Sequence, residues 1–302
     1  MAPPSRWVVP LGDLTPGDEA RVGGKAARLG LLRRKGFGVP NGFCLPVSAY
    51  AFFVQENSLD RIVRLELDRK SLLEMRWEEI WDAALRIRSA FNAAPIPPVL
   101  EREIRSALAP WPSTTTFAVR SSAPGEDSLH FSFAGLHESR INVCGVSEIV
   151  DAIRQVWSSL WSDAALLYRQ EIGLDPSKSQ MAVLVQPMVT GEKSGVAFGR
   201  DPRWPHKPEA VLEAVPGLCQ ELVDGTVEPD RWVLSRPSGR IVQRHQGSSR
   251  HPNDWVLSNS EVKAIFKLLL RVEAVCGWPP DMEWTQSQGK LTLLQARPMT
   301  QP

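Results

Sequence analysis

The 302-residue sequence holds only four cysteines, Cys44, Cys144, Cys219 and Cys276, and no C-x-x-C pair. Their scatter argues against a zinc site and against a disulfide framework, and leaves buried reduced thiols as the plain reading. Net charge is equally scarce, at +1. That balance gives no case for nucleic acid or an anionic membrane as a partner, although it does not forbid local basic patches. No apolar run is long enough to span a bilayer; the longest cluster lies around residues 265–270. The opening M-A-P-P-S-R-W-V-V-P-L has no apolar h-region and does not read as a secretory signal, so a cytoplasmic location is the expectation. Internal repeats, low-complexity tracts and a Walker A sequence, G-x-x-x-x-G-K-[ST], are also lacking.

What is present is an ordinary globular composition, 43% apolar and 23% charged, in a length that suits one large domain or two lobes with a real core. The pattern predicts a helix over 24–36 with a glycine stop, and a short helix over 47–55. Ser71 and Glu74 make a capping-box pattern before a long segment over 75–93, in which Ile80, Trp81, Ala84, Leu85, Ile87 and Phe91 recur at helical spacing. A further helix is expected over 98–108. Another is expected from a Ser147 cap through 148–171. A last one should run from a second capping box, Ser258 and Glu261, to Cys276, with Gly277 ending it. Residues 117–119, 181–189, 195–198, 210–215, 231–235 and 241–244 read as strands. The first half is mainly helical and the second alternates strands with turns. The expected class is α+β, with two lobes and a soft boundary near 180.

Among the eleven tryptophans, Trp7, Trp77, Trp81, Trp157 and Trp161 are expected to pack in the core or between lobes. Trp284 stands next to the most informative segment, the tail. There D-M-E-W (281–284) and L-T-L-L-Q-A-R-P-M-T (291–300) flank the turn Ser287-Gln288-Gly289. Strand alternation puts Asp281 and Glu283 on one face, and Gln295 and Arg297 on one face of the neighbour. Two carboxylates suit Mg2+, which takes one or two plus nucleotide phosphates, and a guanidinium suits phosphate. The residues alone leave open the other reading, an exposed hairpin with cross-strand ion pairs. Lys25 follows two glycines at a helix start, a place that favours anions but also a common turn with a solvated lysine. Arg120 follows a strand-like run, a rigid mount for a phosphate contact or an ordinary surface arginine.

Seven blocks in order carry a resemblance: G-G-K-A-A-R-L (23–29), G-V-P-N-G-F (38–43), V-R-S-S-A-P-G-E-D (119–127) with S-F-A-G (132–135), V-Q-P-M-V (185–189), S-G-V-A-F with D-P (194–202), E-A-V-P-G-L-C-Q-E-L-V-D-G (213–225) with P-D (229–230), and the tail. The sequence resembles the ATP-binding N-terminal domain of the phosphoenolpyruvate synthase and pyruvate phosphate dikinase family, over about Leu11 to Thr300. Rifampin phosphotransferase carries a similar domain. The resemblance implies a two-lobed, ATP-grasp-like α+β fold with the nucleotide cleft between lobes. It treats 1–302 as one ATP-binding domain, with 1–180 and 181–302 as approximate lobes.

The same resemblance implies ATP and Mg2+ as cofactors. It makes Lys25 and Arg120 contacts to ATP phosphates, and Ser132 to Gly135 a loop over those phosphates. It sets Gln186 and Met188 beside the adenine, and Glu213 near the ribose or adenine. Glu283 becomes the first choice as metal ligand, with Asp281 and Gln295 next, and Arg297 neutralises charge on the transferring group. Lys25, Arg120 and Arg297 are then the catalytic candidates. Trp284 becomes a candidate optical reporter of the nucleotide. Leu136 stands where the family usually has Gln, and Gly199-Arg200 where it often has Thr before D-P. Glu126 and Asp127 either orient basic residues or are solvated, and His130 and His137 read as exposed.

Family members relay phosphate through a histidine on a swivelling domain. None of His130, His137, His206, His245 and His251 sits in that T-x-H-type context. The expectation is therefore an ATP-binding subunit that phosphorylates or pyrophosphorylates a histidine on a separate domain or subunit. The products would be AMP, phosphate and a phosphorylated acceptor such as pyruvate or a phenol. The alternatives are a catalytically silent nucleotide-binding protein of the same fold, which the two departures favour and the retained charged residues oppose, and the excised ATP domain of a longer enzyme, which a native-looking Met1 opposes.

Overall fold

The computed structural model describes residues 7–125, 138–219, 222, 225–247 and 254–299. Up to Met188 its strands form one antiparallel sheet in the order β1 (Val9–Pro10), β2 (Phe43–Leu45), β5 (Ala182–Pro187), β3 (Thr116–Ser122) and β4 (Ser139–Cys144). Phe117, Val119, Val183 and Val185 share one face of that sheet and join a single apolar core. The core is completed by α2 (Val47–Glu56), α3 (Leu59–Leu67), α4 (Trp77–Ala93), α5 (Pro98–Leu108), α6 (Val146–Ser159) and α7 (Asp163–Glu171). Tyr50, Phe53, Phe91, Trp157 and Trp161 form its aromatic centre, with Phe53 and Trp157 stacked at 4.9 Å and Trp161 Nε1 donating to Tyr50 Oη at 3.1 Å. Fully burying such a side chain stabilises by roughly 1.5–3 kcal/mol. The other face carries the start of α1 (Glu19–Arg34), whose Val22 carbonyl accepts from Ser122 Oγ.

After Met188 a second antiparallel sheet follows, in the order β11 (Lys290–Pro298), β10 (Pro280–Ser287), β6 (Lys193–Phe198), β7 (Glu209–Pro216), β8 (Asp230–Ser235) and β9 (Ile241–His245). Helix α8 (Asn259–Cys276) packs against β10, β6 and β7. Contacts gather into two units: Met1–Gly30, Asn41–Asp127 and Phe131–Met188 in one, and Leu31–Pro40, Ser128–His130 and Val189–Pro302 in the other. The class is α+β, as expected. No helix among the described residues is long and apolar enough to cross a membrane.

Three local expectations are corrected. The long helix starts at Trp77, not Met75. Ser71 instead precedes a 3-10 turn over Leu72–Glu74 and makes no side-chain cap, while Glu79 accepts from the Arg76 amide at 2.8 Å. The run 148–171 is two helices, preceded by Gly145 at φ 83°, not a Ser147 cap. The break is built by Ser162, which caps α7 by accepting from Ala165 N. Buried Arg169 donates to the Leu160 carbonyl at 2.8 Å. Trp77 and Trp81 do not pack in the core; they are 64% and 50% exposed. Helix α3 and strands β1, β2 and β4 are not among the expected elements. Helix α3 buries Leu59, Val63 and Leu67 at four-residue spacing, whereas β1 and β2 are too short to show a period.

The Ser258–Glu261 box forms as expected. Glu261 accepts from Ser258 N at 2.7 Å and from Lys193 Nζ at 2.7 Å, which ties α8 to β6. Burial opposes ionisation of Glu261, but the hydrogen bonds from Lys193 and Ser258 outweigh it and pull its carboxyl down to about 2. A carboxyl held below its unfolded value stabilises the fold above the unfolded pKa of about 4.3, and loses that contribution as pH falls through the folded value. Glu261→Gln should therefore cost about 1–2 kcal/mol at pH 7. In urea titrations that cost should shrink steadily below about pH 4.3.

Candidate functional site

The sequence-predicted residues fall into one group in each unit. In the first unit Arg120 and Gln186 lie on adjacent strands and on the same sheet face, since Ala118 pairs with Gln186 and Arg120 with Leu184. Lys25 is 8% exposed, and its Nζ donates to the Ser121 carbonyl at 3.0 Å. Gly23 makes this approach possible. Its φ is 75°, and a Cβ there would sit 2.1 Å from the Ser122 carbonyl oxygen. Ser122 Oγ then accepts from Ala26 N at 3.0 Å and donates to Val22 O at 2.7 Å, fastening the helix that carries Lys25 to the end of β3. Met188 follows β5, is half-buried, and donates its amide to Thr116 O at 2.8 Å.

In the second unit the hairpin expectation holds in register. Asp281 faces Arg297 and Glu283 faces Gln295 across β10 and β11. The turn places Gln288 at φ 49° and Gly289 at φ 74°, the doubly positive pair of a type I′ hairpin. Arg297 Nε and Nη2 both reach Asp281 Oδ2, at 2.8 and 2.7 Å. The cross-strand ion pair is therefore real for Asp281 and Arg297, and it fixes the plane of the guanidinium. Gln295 is 6% exposed. Trp284 alternates to the opposite face and is fully buried, its ring lying where a Cβ on Gly195 would be 2.8 Å away. It does not face this row, which removes the direct basis for using it as a reporter.

Register carries the polar face further across the sheet. Glu283 aligns with Val196 on β6, Val196 with Glu213 on β7, and Glu213 with Arg231 on β8. Glu283 and Glu213 are two strand spacings apart, about 10 Å. Burial raises the Glu213 carboxyl above its ordinary value, with Arg231 and Arg203 opposing the rise. Arg231 Nη1 donates to Glu213 Oε1 at 3.2 Å, and Nη2 contacts both Asp201 oxygens at 3.2 Å. Asp201 and Arg231 were not expected as site residues. The D-P block at 201–202 is visible, but only the fold brings Asp201 to Glu213, through Arg231. Asp230 of the P-D block is structural instead. Its carboxylate accepts from Gly247 N at 2.9 Å and Val256 N at 2.7 Å.

Among the described residues no three His, Cys, Asp or Glu side chains are grouped to hold a metal. The pair Asp281 and Glu283 nevertheless fits Mg2+, because that ion asks for one or two carboxylates and takes the rest from phosphates and water. Ser132, Gly135, Glu126, Asp127, Leu136, His130, His137 and His251 lie outside the described residues.

Arg231 holds two carboxylates, one of them on the 2%-exposed Asp201. Arg231→Met should destabilise the protein by about 3–5 kcal/mol, because a buried acid loses its counter-ion. It also removes an influence that lowers the Glu213 pKa. Glu213 should then rise further, and the deficit measured by urea unfolding should be smaller at pH 5 than at pH 8.

Comparison with known proteins finds relatives along nearly the whole chain. A family model described as "Pyruvate phosphate dikinase, AMP/ATP-binding domain" matches residues 19–302. A probable phosphoenolpyruvate synthase from Methanocaldococcus jannaschii is 32% identical over 98% of this chain and 27% of its own length. A rifampicin phosphotransferase from Streptomyces sp is 33% identical over 98% of this chain and 36% of its own length. A phosphoenolpyruvate synthase from Pyrococcus furiosus is 28% identical over 95% of this chain and 43% of its own length. The chain thus spans between about a quarter and two-fifths of these relatives. A solved dinucleotide-forming acetyl-coenzyme A synthetase chain from Ca. Korarchaeum cryptofilum aligns over 73% of this chain at 12% identity and a TM-score of 0.36, too distant to bear on the fold. On a match that runs through nearly the whole chain, this protein belongs to the pyruvate phosphate dikinase AMP/ATP-binding domain family.

Proposed function

We propose that this domain binds Mg-ATP and passes a phosphoryl or pyrophosphoryl group to a histidine on a swivelling domain, on a separate subunit or elsewhere. AMP and phosphate would be the by-products, and a small acceptor such as pyruvate or a phenol would receive the phosphate. The observation that carries this reading is the paired register of Asp281 with Arg297 and of Glu283 with Gln295. It supports a rigid set of charged and polar groups on one strand pair.

In this reading Glu283 is the first metal ligand, with Asp281 and Gln295 beside it. Mg2+ supplies neutralisation of charge spread over the phosphate oxygens. Asp281 orients Arg297, whose guanidinium offsets the charge that grows on the transferring group. A planar fork held in advance costs little reorganisation when the group moves. Lys25 and Arg120 act as further phosphate contacts, Lys25 tied to the Ser121 carbonyl of β3 and Arg120 on β3 itself, and Ser132 and Gly135 of the S-F-A-G block add contacts to the same phosphates. Gln186 and Met188 border the adenine. Glu213, kept partly protonation-prone by burial, bonds a ribose hydroxyl or the base surroundings.

Calorimetry with Mg-ATP tests the reading. Wild type should bind. Glu283→Ala and Arg297→Ala should each lose about 1.5–3 kcal/mol, roughly ten- to a hundredfold in affinity. Wild type that binds no Mg-ATP, or variants that bind as well as wild type, would sink it. A second measurement follows ATP turnover to AMP when a phosphohistidine-domain protein is supplied. Arg297→Lys should retain binding within about tenfold but lose most turnover, since an ammonium lacks the bidentate fork.

A further inference from the structure

The second unit carries a cavity of about 350 Å3 that lies off the polar face just described, lined by Arg200, Pro205, His206, Lys207, Pro208 and Arg236. Its volume is within the range of small-ligand sites, which begins near 300 Å3. Three of the six lining residues are cationic, one is a histidine, and none is acidic. Arg236 is compensated, with Nη2 on Glu273 Oε1 at 2.8 Å and Nη1 on the Gly199 carbonyl. Among the described residues, Arg200 and Lys207 have no carboxylate within salt-bridge distance. Lys207 instead sets its ammonium 5.5 Å from the centre of the exposed Trp204 ring.

The loop that presents these charges is braced by backbone hydrogen bonds. Trp204 N donates to Asp201 O at 3.1 Å, Lys207 N to Trp204 O at 2.9 Å, Glu209 N to Lys207 O at 2.8 Å, and Arg236 N to Pro208 O at 2.9 Å. Asp201 Oδ1 also accepts from Arg203 N at 2.9 Å. Pro205 and Pro208 limit the backbone further. Like charges gathered on a concave wall repel one another. A cleft lined by one sign of charge also focuses its field and concentrates counter-ions. Arg and Lys side chains held in this way match the oxygens of a phosphate group, the Arg through a bidentate fork.

We propose that this cavity is an accessory anion site that takes a phosphate or pyrophosphate group on Arg200 and Lys207, with Arg236 as the fixed cation at its base. Trp204 is its built-in reporter, because an anion drawn to Lys207 moves the ammonium off the indole face. The site does not depend on the Mg-ATP reading, since none of its residues belongs to the Asp281–Glu283–Gln295–Arg297 set.

Inorganic pyrophosphate is the probe, titrated at constant ionic strength by calorimetry and by tryptophan emission. Wild type should bind saturably, at this cavity in addition to the phosphate contacts proposed for ATP. Arg200→Ala/Lys207→Ala, both exposed and therefore safe for folding, should weaken binding at least tenfold. Glu283→Gln should bind pyrophosphate as wild type does, and Trp204→Phe should keep the heat but lose the emission change. An AMP competition separates the sources. Displacement means a nucleotide-borne phosphate fits, and no displacement means free phosphate is preferred; each upholds the anion site. No saturable binding by wild type, or weakening by Glu283→Gln with none by Arg200→Ala/Lys207→Ala, would overturn it.

Discussion

The metal and phosphate set proposed for the second unit depends on the register between β10 and β11. Strand side chains alternate with a period of two, so a slip by one residue would turn Asp281 and Glu283 to the buried face and bring Met282 and Trp284 out. Two constraints prevent it. The hairpin closes through two residues with positive φ, Gln288 and Gly289, which suits the twist of the flanking strands. On the other side of the sheet Met282 and Trp284 are fully buried, so a slip would cost the burial of both. Charged residues that would repel water poorly from a core are thus held in place by the apolar residues between them.

The same economy governs the glycines of the family blocks. Gly195 leaves room for the Trp284 ring, and a Cβ there would also lie 2.0 Å from the Glu213 carbonyl oxygen. It sets how closely β6 and β7 approach beneath the row that contains Glu213. Gly23 does the same in the first unit, letting the backbone of α1 meet the end of β3 at Ser122. Lys25 then reaches the Ser121 carbonyl from a helix that is already fastened. Small residues set these backbone approaches, and charged residues are mounted on the result.

Buried charge is handled by pairing rather than by neutral isosteres. Arg231 spans Asp201 and Glu213, Arg297 takes Asp281, and Asp230 spends both carboxylate oxygens on backbone amides. Each pairing limits where a side chain can turn. Asp230 belongs to a block that resembles a functional motif, yet its contacts hold the amides of Gly247 and Val256 to β8. A motif residue can therefore be retained for architecture.

The sequence by itself determined the α+β class, most of the second sheet, the capping box at Ser258 and the hairpin that carries Asp281, Glu283, Gln295 and Arg297. These rest on local signals: period-two alternation, a cap with its acid three residues on, and a turn that demands positive φ. It read poorly where the deciding partner is distant in the chain. The helix over 148–171 broke because Ser162 and Arg169 satisfy groups at Leu160 and Ala165, which apolar periodicity does not register. Trp77 and Trp81 looked like core because they follow helical spacing, but only the packing of α4 says which stripe of the helix is buried. The row from Glu283 through Glu213 to Arg231, and the cavity between Arg200 and Arg236, were decided by the tertiary structure alone. The row is made of residues on different strands brought together by antiparallel pairing, the cavity of one loop closed by Arg236 from the turn after β8, and no spacing along the chain encodes either meeting.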